Sequence, residues 1–162
     1  MKIGIIVHSL SGHTLRFAQL IQSKLQENGH EVELTQVQTS IPVKSGSVRQ
    51  PVNYTVTNLP DISGYDLLCI GGPVWAFGAS PVICQAIRQM GSLKGKKALP
   101  FATMGFPLTG MGGKGALRWM SREIGEKHAT LLPGVVIPTM FHNFNLLYEQ
   151  EAAKISQLIG KA

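Results

Sequence analysis

The segment Lys2-Ile3-Gly4-Ile5-Ile6-Val7-His8, followed at once by Ser9-Leu10-Ser11-Gly12-His13-Thr14, decides how the rest of the chain is read. A short, β-branched apolar run bounded by hydroxyl and glycine residues reads as a strand buried on both faces. Thr14 to Asn28 then sets Leu15, Phe17, Ala18, Leu20, Ile21 and Leu25 at helical spacing and closes on Gly29 in the C-cap place.

The alternation continues outward from this unit. Glu31 to Val37 reads as a second strand, and Thr39 to Ser63, with prolines at 42, 51 and 60, as a long loop holding a short helix or hairpin. Tyr65 to Ile70 is a third buried strand ending in Gly71-Gly72-Pro73. Ser80 to Met90 is a helix with Pro81 at its first position. Lys97 to Thr103 forms a fourth strand, about Gly115 to Lys127 a helix, Pro133 to Pro138 a fifth strand and Leu146 to Ile159 a last helix. Strands and helices that alternate in this way give a parallel sheet covered by helices on both faces. Right-handed crossovers leave few topologies to consider.

Composition bounds the function. The chain has 162 residues, 44% hydrophobic and 15% charged, against about 25% charged in an average domain. That length suits one domain over residues 1–162, and that composition excludes a disordered chain. Fifteen Lys+Arg against nine Asp+Glu give a net charge of +6, which favours anionic ligands or partners. Two cysteines, Cys69 and Cys84, make no disulfide framework and fit buried thiols of a cytoplasmic protein. The amino terminus lacks a secretory pattern. The uncharged stretch Leu67 to Ile87 is long enough to span a bilayer, but Gly71-Gly72-Pro73 and Ser80-Pro81 interrupt it, so no membrane span is expected.

In such a sheet the ligand crevice lies beyond the carboxyl ends of the strands. After the first strand, Ser9, Ser11 and Thr14 supply hydroxyls, Gly12 a turn, and the helix start its free N–H groups, together a phosphate cradle; an ordinary N-cap by Ser11 or Thr14 is the alternative. After the third strand stands Pro73-Val74-Trp75-Ala76-Phe77-Gly78. Its two rings either stack on a ligand or fold back on the core. After the fourth come Thr103-Met104-Gly105-Phe106 and a run containing Gly110, Gly112 and Gly113, where backbone forms the wall. Thr139 to Phe144 follows the fifth, and His8 and His142 fall on the same side. Apart from Lys114 and the histidines these loops carry no charge. A phosphate cradle at one end and neutral, aromatic, glycine-lined walls at the other suit a flat heteroaromatic ring joined by a polar chain to one phosphate. FMN has that shape.

The strand IGIIVHS with SLSGHT, the GGPVWAFG loop and the TMGFPLTGMGG loop resemble the flavodoxin-like family of FMN proteins over nearly the whole chain, with Thr39 to Ser63 matching least. The resemblance implies a three-layer sandwich around a five-stranded parallel sheet of order 2-1-3-4-5. It implies FMN phosphate on Ser9, Ser11, Gly12, His13 and Thr14. It places the ring and ribityl chain against Pro73, Val74, Trp75, Ala76, Phe77 and Gly78, and the ring edge against Thr103, Met104, Gly105, Phe106, Gly110, Gly112 and Gly113. The flavin carries the chemistry, so no side chain is expected to act as catalytic acid or base.

Two features depart from the family pattern. His13 stands where Asn is usual. The chain is basic, whereas electron-shuttling flavodoxins are strongly acidic. The basic charge favours the branch whose members take hydride from NAD(P)H and reduce a quinone, flavin or similar small acceptor; the alternative is an electron carrier between protein partners without NAD(P)H activity. Neutral exposed surface allows a homodimer. The spacing Gly110, Gly112, Gly115 matches GxGxxG but follows the fourth strand and lacks the acidic residue a ribose needs, Lys114 is followed by Gly115 rather than Ser or Thr, and no zinc spacing occurs. Lys94, Lys96 and Lys97 read as a solvated face at the opposite end of the sheet, and nucleic-acid binding is not expected.

Overall fold

The computed structural model describes residues 1–46, 53–140 and 143–161. The strands are β1 (Lys2–Val7), β2 (Glu31–Gln36), β3 (Leu67–Trp75), β4 (Gly78–Ala79), β5 (Lys97–Met104), β6 (Thr130–Leu131) and β7 (Val135–Pro138). The helices are α1 (His13–Glu27), α2 (Pro81–Gln89), α3 (Gly113–Glu126) and α4 (Phe144–Gly160). The parallel sheet runs β2-β1-β3-β5, and β5 carries both β6 and β7 on its outer side. This is the expected flavodoxin-like order, with its fifth strand in two pieces.

Both faces of the central strands are buried, which is why their sequences are almost wholly apolar. On one face Ile3, Ile5 and Val7 of β1 pack with Phe17, Ile21 and Leu25 of α1 and Tyr148, Ile155 and Ile159 of α4. On the other, Ile6, Leu68 and Ile70 pack with Ile83 and Ile87 of α2 and Met120 and Ile124 of α3. Cys69 and Cys84 lie in these cores, and burial pushes both thiols up to about 12, so they remain protonated.

Two strands differ from their sequence reading. The third does not stop at Ile70 but continues through Gly71-Gly72-Pro73 to Trp75. The glycines are packing requirements here: a Cβ on Gly71 would sit 2.1 Å from the Phe101 ring, and one on Gly72 would sit 2.9 Å from Ile83. Pro73 lies beyond the last β1 pairing, Val7 with Gly71, so its missing N–H deprives no ladder. The fifth strand breaks into β6 and β7 opposite Pro100. Leu132 N–H donates to Ala98 O and Thr139 N–H to Met104 O, so alternate β5 residues turn their polar groups to this edge. Pro100, in the same alternation, has no N–H to offer.

Between β2 and β3 the chain makes an excursion rather than an open loop. Thr39 and Val56 form an antiparallel bridge, and Ser40 N–H donates to Thr55 O. The Gln89 carboxamide grips Val56 from both sides, accepting from its N–H at 2.8 Å and donating to its carbonyl at 3.0 Å. Tyr54 and Val56 are buried beneath α2 as a result. Among the described residues no helix is long and apolar enough to cross a membrane, and no group of three His, Cys, Asp or Glu could hold a metal ion.

Candidate functional site

The four helices divide by how their amino termini are closed. Ser80 caps α2 by accepting from Val82 N–H at 3.3 Å, and Asn143 caps α4 by accepting from Leu146 N–H at 3.4 Å. Neither α1 nor α3 has a side-chain cap; each begins at a glycine with positive φ, Gly12 at +89° and Gly112 at +101°. The alternative reading, a cap by Ser11 or Thr14, is not what forms, and the first-turn N–H groups of α1 are left without a side-chain acceptor. No acidic residue stands in either first turn, and the partial positive charge there is uncompensated.

Around the start of α1 the hydroxyls have distinct surroundings. Ser11 and His13 face a cavity of about 300 Å³ that Ser45, Pro73, Trp75 and Thr103 also line. Ser9 is 5% exposed, and its Oγ has no hydrogen-bond partner. A buried hydroxyl in that state is unfavourable by about 1–3 kcal/mol until something bonds to it. Thr14 is 2% exposed and its hydroxyl is 2.7 Å from that of Thr103, which ties the loop to the end of β5. Its main-chain N–H is therefore the group it can offer a ligand.

The two rings of the third loop part company. Trp75 is 7% exposed and meets His8 edge-on, the ring centres 5.2 Å apart, yet it still lines the cavity wall. Phe77 is 69% exposed at the tip of a two-residue hairpin between Trp75 and Gly78. Both tip residues have positive φ, 42° at Ala76 and 68° at Phe77. A type I′ turn normally calls on Asn and Gly for this, so Ala and Phe hold the shape under strain. Gly112 packs directly against the tip; a Cβ there would lie 2.6 Å from Phe77 Cα.

Phe77, Phe106 and Met111 line a second, apolar chamber of about 250 Å³. Val74, Met104 and Gly105 belong to both chambers and make them one cleft. The arrangement runs from hydroxyls and a helix terminus at one end to uncharged aromatic and thioether surface at the other. Ser9, Gly12, Thr14, Gly78, Gly110, Gly112 and Gly113 line neither chamber: Ser9 borders a separate cavity of about 290 Å³ with His8, Gln36 and Val37, and Gly112 and Gly113 fix α3 against the hairpin, Val136 and Met104. His8 is buried and bonds through Nδ1 to Ser80 Oγ at 2.7 Å. Burial holds its pKa down to about 4, so the imidazole is neutral. Phe141 and His142 lie outside the described residues.

Of the loop after the fifth strand, Thr139, directly after β7, lines the first chamber much as a hydroxyl follows β1. The structure also adds residues that the sequence reading did not single out. Ser45 reaches the same chamber from the excursion, where nothing in the local pattern points to the site. Arg16 stands one turn into α1 with its guanidinium 5.6 Å from the Phe144 ring, against which His13 also packs.

Residues 1–141 match the family described as NADPH-dependent FMN reductase. The chain belongs to this family. No curated protein matches the sequence. Among solved structures the family member is similar to a flavodoxin of Streptococcus pneumoniae TIGR4, at 14% identity and a TM-score of 0.69 over 100% of each chain. It is similar to Flavodoxin 2 of Bacillus cereus at 20% identity and a TM-score of 0.70, with 99% of each chain covered. Rubredoxin oxygen:oxidoreductase of Desulfovibrio gigas matches 99% of this chain with 35% of its own length, at 12% identity and a TM-score of 0.66. At these identities the likeness is one of fold. The flavodoxin-like fold and the FMN reductase family agree with each other.

Proposed function

We propose that residues 1–162 form one domain that holds FMN in this cleft and reduces a quinone, flavin or similar small acceptor with electrons from NAD(P)H. The observation that carries this reading is the polarity of the cleft, with the Ser11 and Thr103 hydroxyls and the uncapped α1 terminus at one end and the neutral Phe77-Phe106-Met111 surface at the other. These residues fit the cofactor. Ser9, Ser11, His13 and the N–H groups from Gly12 to Thr14 would hold its phosphate, donating hydrogen bonds to a dianion. Thr103 and Gly105 would meet the polar ring edge, and Trp75, Phe77, Met104 and Phe106 its faces. When bound, FMN supplies the two-electron chemistry that lets a nicotinamide and a one- or two-electron acceptor exchange electrons.

The chain's own part is to bind, orient and exclude water. Thr14 and Thr103 fix the phosphate loop relative to β5, and neutral His8 keeps charge away from the Trp75 wall. The basic balance of +6 suits an anionic donor such as NAD(P)H and distinguishes the chain from acidic carriers. The carrier reading draws on the flavodoxin fold of the neighbours. An anaerobic visible spectrum of the FMN-loaded protein decides between them. Bleaching within seconds of adding NADH or NADPH supports the reductase. Persistent yellow that only dithionite removes supports the carrier, and failure to retain FMN sinks the cofactor assignment.

A further inference from the structure

Five large apolar side chains stay exposed around the cleft mouth: Phe77, Phe106, Leu108, Met111 and Trp119, the last two 45% and 44% exposed. They are contiguous. Phe77, Phe106 and Met111 share the apolar chamber, and Met111 N–H donates to Leu108 O. The Trp119 ring lies against the hairpin at Gly78, where a Cβ would be 3.6 Å away. Leu108 and Trp119 line neither chamber, so a ligand filling the cleft leaves them in water. A continuous rim of this kind marks an interaction surface, and aromatic and Met side chains are the residues that interface centres favour.

Charge decides the occupant. On α3, Lys114 and Arg118 are one turn apart beside Trp119, both exposed, and neither has an ion-pair partner among the described residues. The nearby acids are already used: Glu123 is held by Arg88 and by Trp119 Nε1–H, and Glu126 by Arg122. The positive start of α3 adds to the same side. A second copy docking through this face about a two-fold axis would set one positive face against an identical positive face.

We propose that this rim is the docking face for an acidic electron-transfer protein, seated over the cleft mouth with its apolar centre on Leu108 and Trp119 and its carboxylates on Lys114 and Arg118. The choice of a redox protein rests on the FMN reading above; the acidic, apolar-centred partner rests on the face alone.

The test is calorimetric titration of the FMN-loaded protein with an acidic two-iron ferredoxin as the probe, at about 20 mM and about 300 mM salt. Micromolar binding at low salt that weakens about tenfold at high salt is expected. Arg118→Glu and Lys114→Glu each weaken it tenfold or more. Trp119→Ala weakens it with the salt dependence kept, and Lys94→Glu, at the far end of the sheet, leaves it unchanged. No binding by the wild-type chain overturns the proposal, as does equal weakening by Lys94→Glu, which would mean a response to net charge alone. Self-association abolished by Arg118→Glu, or binding to phosphatidylserine vesicles with none to ferredoxin, overturns it too. Visible absorption of each variant reports FMN retention separately, so loss of flavin and loss of docking are read independently.

Discussion

The hydroxyls of Thr14 and Thr103, 89 residues apart in sequence, lie 2.7 Å from each other in the buried floor of the cleft. One belongs to the first turn of α1 and the other to the end of β5, so a single hydrogen bond ties the loop after β1 to the opposite wall.

Replacing either threonine by valine leaves a buried hydroxyl without its partner and should destabilise the fold by about 1–3 kcal/mol, whereas the double Thr14→Val/Thr103→Val variant should recover most of the loss. Denaturant unfolding of the four proteins gives the coupling directly. Additive losses would mean that the two hydroxyls act separately.

Ser9 behaves in the opposite way. Its Oγ is buried and unpartnered, so Ser9→Ala should leave the flavin-free protein as stable as before or more stable, while weakening FMN by about tenfold, the worth of one hydrogen bond to a charged group. Thermal unfolding without FMN and fluorescence titration with it measure the two effects. Unchanged FMN affinity would remove Ser9 from the phosphate site.

The buried imidazole of His8 gives an acid limb of its own. Its folded pKa is about 4 against 6.5 when free, so between these values the unfolded chain binds the extra proton. Stability is complete above about pH 6.5 and falls as pH drops toward 4, by on the order of 3 kcal/mol. His8→Gln should flatten urea-unfolding stability across that window. A slope that survives the substitution would assign it to another group.

The hairpin tip is strained in exchange for presenting Phe77. Ala76→Asn with Phe77→Gly supplies the residues the turn prefers and should raise stability by about 1–2 kcal/mol in the flavin-free protein. The same change removes an aromatic face from the cleft and should weaken FMN severalfold. Tighter or equal binding would show that the ring serves only the outer rim.

The regular core was legible because its periodicities are unambiguous: β1 buries every other residue toward α1, and α1 repeats its apolar positions with helical spacing. The cleft's position followed from strand order, and its aromatic and hydroxyl walls from residue type. Gly71 and Gly72 misled, because glycine that makes room for Phe101 and Ile83 looks the same in sequence as glycine that makes a turn. The parting of Trp75 from Phe77 depends on a two-residue turn whose residues, Ala and Phe, carry none of the usual turn chemistry. Ser45 and the Gln89 grip on Val56 arise from long-range packing, and no local pattern announces either.

Pro100 has an effect beyond the strand it sits in. By splitting its outer neighbour into pieces of two and four residues, it leaves the sheet no continuous row of hydrogen-bonding groups on that margin. The opposite margin, β2, carries Glu31 and Glu33 paired to Lys2, and Asn58 bonds the carbonyl of its last residue, Gln36. A protein with so many apolar strands is thus denied both templates on which like chains could stack into cross-β aggregates.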